Sequence, residues 1–172
     1  MDLKDTIRTV PDFPIEGIQF RDITSMLERP EAFNKALISL SSTCMSFNAT
    51  KIVAIESRGF IFGSPIARDM ELPLILARKP GKLPNKTYQR NYKLEYGEAE
   101  LHIQRNSDIK SNDKIVIVDD LIATGGTALA SAKIVEKCKA KVSAFLFLID
   151  LFDLPGNNKL LSKGYKTFKL ID

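Results

Sequence analysis

The apolar positions of the chain follow two rhythms. Between residues 31 and 45, Phe33, Leu37, Leu40 and Cys44 recur at i, i+4, i+7 and i+11, the spacing of one helix face. Residues 127–139 repeat it, with Ala128, Ala132 and Val135 on a common side. Elsewhere the apolar stretches are short, continuous, rich in β-branched residues and bounded by turn formers, at 52–56, 74–77, 115–119 and 142–149. Strands apolar on both faces belong in the middle of a parallel sheet covered by helices, and Phe145 and Phe147 belong to its core. Residues 92–96 and 100–103 flank Gly97-Glu98 and predict a hairpin. Residues 2–9 predict a short opening helix capped by Asp2, followed by a loop carrying Pro11, Pro14 and Gly17. Phe152, Pro155 and Gly156 mark a late loop. With no repeat and no linker, the pattern predicts one α/β domain over residues 1–172, its mostly parallel sheet flanked by helices. A ligand should sit where strands end and helices begin.

Composition narrows the classes. The chain has 172 residues, with 25 Lys and Arg against 21 Asp and Glu. No apolar run approaches the ~18 residues of a membrane helix; the longest, residues 144–149, ends at Asp150. The amino terminus has no apolar stretch after its first charges, so a secretory signal is not expected and a cytoplasmic location is. Cys44 and Cys138 are far apart, with no CxxC and no histidine nearby, which predicts packing residues rather than a disulfide or a zinc site. His102 is the single histidine, so a His-based triad or a multi-His metal site is hard to assemble, and its strand context predicts a surface or hairpin residue. The net charge of +4 is local. Arg78, Lys79, Lys82, Lys86, Arg90 and Lys93 carry no acidic residue among them, and without those six the balance is 19 against 21. Pro80, Gly81, Pro84 and Asn85 make the same segment a predicted long, mobile loop, and its charge fits a lid over phosphates.

The chemistry concentrates in residues 115–127, where an apolar strand runs into Asp119-Asp120, then Ala123-Thr124-Gly125-Gly126-Thr127, then a helix. Gly125 and Gly126 allow positive φ and close backbone approach. Successive N–H groups and the positive end of the following helix then form an anion site, to which Thr124 and Thr127 add hydroxyls. The two carboxylates would repel a phosphate, but they suit the vicinal hydroxyls of a ribose and a Mg²⁺ nearby. A phosphate loop beside ribose-binding carboxylates describes a ribose-5-phosphate clamp. GxxxxGK[ST] and GxGxxG are both absent.

Residues 118–127 closely resemble the phosphoribosyl pyrophosphate motif of type I phosphoribosyltransferases. Further blocks resemble the adenine phosphoribosyltransferases in order: Pro11-Asp12-Phe13-Pro14 with Gly17, Phe20-Arg21-Asp22-Ile23-Thr24, Glu56-Ser57-Arg58-Gly59-Phe60, Ala77-Arg78-Lys79-Pro80-Gly81-Lys82-Leu83-Pro84 and Leu94-Glu95-Tyr96-Gly97. The last forty or so residues match only in outline. The resemblance implies a type I phosphoribosyltransferase fold with a base-binding hood (1–30), a lid loop and hairpin (78–105) and the phosphoribosyl pyrophosphate motif (115–139). It implies that adenine displaces pyrophosphate from C1 of phosphoribosyl pyrophosphate, giving AMP, with Mg²⁺ held through substrate oxygens and waters rather than by protein ligands.

By the same resemblance, Asp119 and Asp120 hold the ribose and orient the metal's waters, while Ala123, Thr124, Gly125, Gly126 and Thr127 hold the 5-phosphate. Arg58, Arg78, Lys79 and Lys82 take pyrophosphate. Phe20 stacks on adenine while backbone groups of Gln19 and Arg21 read its edge. Glu95 is the acid/base at the N7 side, Tyr96 covers the site or packs, and the Glu56-Ser57 peptide is strained. A homodimer is implied too, and neither nucleic acid nor membrane is an expected partner. Pro80 stands where relatives can carry another basic residue, which leaves two consecutive charges. Rival readings are a nucleotide-sensing regulator, a different base and a scaffold. The negative remainder argues against the first. The absence of lysine from residues 142–153 argues against an oxo-purine, and the Asp pair with its Gly-Gly turn argues against the last.

Overall fold

The four β-branched runs pair side by side into one parallel sheet. The computed structural model describes residues 2–93 and 97–172. Strands β1 (Arg8–Pro11) and β2 (Gln19–Asp22) precede helices α1 (Thr24–Leu27) and α2 (Pro30–Ser46). Then follow β3 (Lys51–Ile55), α3 (Gly59–Asp69), β4 (Leu74–Ala77), β5 (Thr87–Lys93), β6 (Glu98–Gln104) and β7 (Lys114–Ile122). The chain closes with α4 (Gly126–Lys137), β8 (Lys141–Asp150), α5 (Gly156–Ser162) and β9 (Thr167–Ile171). The central sheet has the order β4-β3-β7-β8-β9 and every pairing in it is parallel, as the apolar runs predict. Strand β7 lies in its middle, so its end is where a ligand is expected.

Each face of the sheet carries its own core. Val53, Ile55, Ile115, Ile117, Phe145 and Phe147 pack with α4 on one side. Ile52, Val116, Val118, Leu146 and Leu148 pack with α2 and α3 on the other. Phe145 and Phe147 stack at 6.0 Å within the first cluster. Each such side chain, buried whole, stabilises the fold by about 1.5–3 kcal/mol. Cys44 is buried and Cys138 half-buried, both as free thiols that burial pushes upward in pKa, Cys44 to about 11. Among the described residues, no helix is long and apolar enough to cross a membrane.

Several expectations change. Residues 2–9 hold only a 3₁₀ turn at Lys4–Thr6, because Arg8–Pro11 pairs with β2 in an antiparallel hairpin and Arg8 bonds Asp22 across it. Tertiary pairing overrides the local helix signal there. The basic segment is not one loop. Its second half is β5, paired with β6 along its whole length from Thr87↔Gln104 to Lys93↔Glu98, so the hairpin starts well before residue 92. Polar residues alternate there on a strand with one face on α4, a pattern that reads as loop when only apolar runs are counted. Strand β7 continues through both aspartates to Ile122 instead of stopping at Asp119. Gly156 opens α5 rather than lying in a loop. Helix α3, whose glycines and internal Pro65 hide its periodicity, has no counterpart in the sequence pattern. His102 does lie in the hairpin, bonded to Thr87 and beside Glu100, with its side chain only 13% exposed.

Candidate active site

At the end of β7 the chain places two carboxylates and then turns. Asp120 is 4% exposed and its Oδ2 lies 2.9 Å from Nε of Arg58. Asp119 accepts a hydrogen bond from the Asp120 N–H at 2.9 Å. Gly59, at the start of α3, fits directly against this pair; a Cβ there would fall 3.0 Å from Asp119 Oδ1 and 2.8 Å from the Val118 carbonyl. Burial, and then the neighbouring charge of Asp120, push the Asp119 carboxyl well above its ordinary pKa. Burial also raises Asp120, against the pull of Arg58. Two adjacent carboxylates in a half-dry pocket hold a proton more tightly than free aspartate.

The turn after them has the tight geometry that a phosphate loop requires. Gly125 has φ 77°, a left-handed conformation that costs glycine nothing, and it leads into α4 with no side-chain cap. The first amides of a helix have no partners within it, so this end of α4 offers donors. Gly126 itself is helical. Its requirement is space, since a Cβ would lie 2.6 Å from the Lys93 carbonyl of the hairpin. Residues 119–128 line one cavity of about 810 Å³ together with Glu56, Ser57, Arg58, Lys79 and Pro80. Asn91, Tyr92, Glu98 and Glu100 of the long hairpin close its other side.

The other predicted groups divide. Arg58 reaches the cavity, paired with Asp120, and its guanidinium lies over the Phe20 ring at 5.4 Å. The Glu56–Ser57 peptide beside it is cis. Lys79 lines the cavity, whereas Arg78 points to Glu56 (Nε to Oε2, 3.3 Å), to the Lys82 carbonyl (3.2 Å) and over the Phe60 ring. Lys82 is not among the described lining residues. Glu56, given no role by the sequence, is the anchor of this corner: its Oε2 accepts the Lys79 N–H at 2.8 Å as well as Arg78. Burial works to raise its pKa, but the Lys79 N–H and Arg78 outweigh that and hold it below the usual range. Its carboxylate after a strand, with Arg-Lys following the next strand in register, was the available signal.

Gln19 and Arg21 line a second cavity of about 330 Å³, between the β1–β2 hairpin and residues 149–154. Phe20, on the opposite face of β2, meets Phe13 edge-on at 5.0 Å and Arg58. Arg90 and Lys93, counted with the lid by their place in sequence, instead line a separate groove with Lys133, Lys159 and Lys163. Glu95, Tyr96 and the neighbouring Leu94 lie outside the described residues.

Known proteins share this arrangement. The family described as "Phosphoribosyl transferase domain" matches residues 23–168. An adenine phosphoribosyltransferase of Pelagibacter ubique is 46% identical over the whole chain and 98% of its own length. The solved adenine phosphoribosyltransferase of Thermoanaerobacter pseudethanolicus superposes with a TM-score of 0.93 at 43% identity, over 98% of this chain and 96% of that one. That of Saccharomyces cerevisiae, complexed with an imino-altritol bisphosphate and adenine, gives 0.88 at 35% identity over 98% and 96%. Parallel sheet, Asp pair, glycine loop and full-length likeness agree: the chain belongs to the phosphoribosyltransferase family, among the adenine phosphoribosyltransferases.

Proposed function

We propose that this enzyme joins N9 of adenine to C1 of phosphoribosyl pyrophosphate, breaking the C1–O bond to pyrophosphate and releasing the N9 proton, so that AMP and pyrophosphate leave. One observation carries the reading: the β7 carboxylates and the phosphate loop opening α4 face a single cavity. Asp119 and Asp120 accept hydrogen bonds from the ribose hydroxyls, while residues 123–127 receive the 5-phosphate. Arg58 and Lys79 face the pyrophosphate. Arg78 and Lys82 hold the shape of the loop that carries Lys79, and add positive potential behind it. Charge develops on C1 as the bond to pyrophosphate loosens, so fixed carboxylates and cations supply most of the rate. Phe20 packs on adenine, the backbone of Gln19 and Arg21 reads its edge, and Glu95, the acid/base at the N7 side, is the acceptor for the proton adenine loses as N9 attacks. The protein acts as a homodimer in the cytoplasm.

Mg²⁺ belongs to the proposal through the chemistry of the donors. Among the described residues no group of three or more His, Cys, Asp or Glu forms a cage for a metal. The Asp pair, with one member already paired to Arg58, fits an ion that takes its remaining ligands from substrate oxygens and water. When bound, Mg²⁺ neutralises charge on the pyrophosphate. The test is a base panel with phosphoribosyl pyrophosphate and Mg²⁺, following pyrophosphate release. Adenine is expected to be turned over and hypoxanthine, guanine and xanthine poorly. Release with guanine or xanthine but not adenine would overturn the base assignment, and no release with any base would overturn the reaction.

A further inference from the structure

The phosphate loop does not stand alone on α4; it rests on the turn that follows β8. That turn starts where the Leu151 N–H bonds the Ile122 carbonyl at 3.0 Å, closes with Leu154 N–H on the Leu151 carbonyl at 2.8 Å, and ends with Gly156 N–H on the Ala123 carbonyl at 2.9 Å. Its first and last bonds therefore grip the chain just after the Asp pair and inside the phosphate loop. At Gly156 the two backbones touch. A Cβ there would overlap the Ala123 carbonyl oxygen and lie 2.8 Å from the Gly125 N and from the Ile122 side chain. From the other side, a Cβ on Gly125 would meet Gly156 Cα and carbonyl oxygen at 3.1 Å. Gly156 carries no positive φ, so backbone freedom is not what this position needs. What it needs is absence of bulk: apart from Ile122, the atoms a Cβ would meet are backbone atoms, which cannot swing aside.

We infer that Gly156 is a positioning residue for phosphoribosyl binding, seating the 5-phosphate loop through its hydrogen bond to Ala123 and its contact with Gly125. It lines neither the cavity at the Asp pair nor the one beside Gln19 and Arg21. A methyl group at this position pushes the Ala123 carbonyl and the Gly125 amide out of place, and that amide belongs to the predicted anion site. The cavity lined by Gln19 and Arg21 shares only Ala123 with the phosphate loop, and its wall at residues 151–154 is held by its own turn bond, so it is the less disturbed of the two. The inference rests on the proposed reaction and adds a residue to it.

Gly156→Ala tests it, at a helix position where propensity alone favours alanine. The comparison variant is Gly164→Ala, whose φ of 82° is strained by any side chain but whose Cβ would meet nothing within 4 Å. Gly156→Ala is expected to raise KM for phosphoribosyl pyrophosphate at least about tenfold, while KM for adenine stays within about twofold. Gly164→Ala is expected to lower Tm and move neither KM. An unchanged KM for phosphoribosyl pyrophosphate in Gly156→Ala, or an equal rise in both KM values, would overturn the inference. Lack of turnover by the wild-type enzyme would instead overturn the reaction itself. Should Gly156→Ala not fold, hydrogen exchange in the wild-type chain decides. The Gly156 amide should slow when AMP is bound, and an unchanged rate would count against the seat.

Discussion

The end of β7 and the corner around Glu56 hold opposite charges by different means. Asp119 and Asp120 continue a central strand that pairs with β3 as far as Val118 and with β8 on to Ile122, with buried residues before and after them. Their positions follow from the packing of the whole sheet. Lys79 lies just past the end of edge strand β4, on a loop tied by contacts on Glu56, by Arg78 to the Lys82 carbonyl, by Asn85 to Gln104 and by a single backbone bridge from Arg78 to His102. The β5–β6 and β1–β2 hairpins beside them are two-stranded, and such pairs have little stability of their own. In the proposed reaction the sheet would fix the groups needed when C1 becomes charged, while loop and hairpins would hold groups that settle on the substrate. Changes at the sheet end should therefore reach kcat, and changes at the corner should reach KM.

The largest effect expected is that of Asp120→Asn. It keeps the shape but removes the charge that faces Arg58 and, in the proposed reaction, the ribose, and kcat should fall on the order of 10²–10³-fold. Stopped-flow measurement of the first turnover separates this from product release; a variant changed only in KM would break the contrast. Next comes Glu56→Ala, which frees both Arg78 and the Lys79 backbone. Losing a charged hydrogen-bond acceptor should raise KM for phosphoribosyl pyrophosphate by about tenfold, with kcat within a few-fold. A fall in kcat as deep as that of Asp120→Asn would move Glu56 from the loop to the chemistry.

A finer division lies within the loop. Lys79 lines the cavity and Lys82 does not, so Lys79→Ala should raise KM for phosphoribosyl pyrophosphate about three- to tenfold and Lys82→Ala less than about twofold. Both effects should shrink in high salt, the weaker one first. Equal effects would show that residues 78–86 rearrange around the substrate.

How far each region could be read in advance follows the same division. The sheet was legible because burial on two faces demands continuous apolar runs, and the Asp pair with its glycine turn stood out against such a run. Even there the reasons differ from the expectation: Gly125 uses positive φ, whereas Gly126 is needed for the Lys93 carbonyl against it. The hairpins were poorly legible. Strand β1 reads as a helix start and β5 as a basic loop because half-exposed strands place Arg, Lys, Gln and Asn on solvent and so leave no continuous apolar run to mark them. Arg90 and Lys93 show the cost of counting charge by sequence position. They share the basic segment with Lys79 but face a different groove, lined also by Lys133, Lys159 and Lys163. Gly156 had no signal at all, since its reason is a contact with Ala123 and Gly125 more than thirty positions earlier.

The smallest effect expected, and the one that separates the regions by sign, is on stability against pH. Asp119 has its folded pKa raised by burial, above an unfolded value near ~3.9. Between those two values the native chain binds more protons than the unfolded one, so its ionisation weakens the fold as pH rises through that window. Asp119→Asn should therefore raise Tm at pH 7 while turnover falls. Asp22, in the β1–β2 hairpin, is the reverse case. The Thr24 hydroxyl first, then Arg8 and the Thr24 N–H, lower its pKa to about 2. Its contribution is complete above the unfolded value and is lost as pH falls through about 2. Asp22→Asn should lower Tm at pH 7, and the difference from wild type should fade toward pH 2. Melting curves of both variants from pH 7 downward should thus start on opposite sides of wild type and converge on it in acid. If Asp119→Asn instead lowered Tm at pH 7, a partner rather than burial would govern that carboxylate, and the sheet end would hold its charges as the hairpins do.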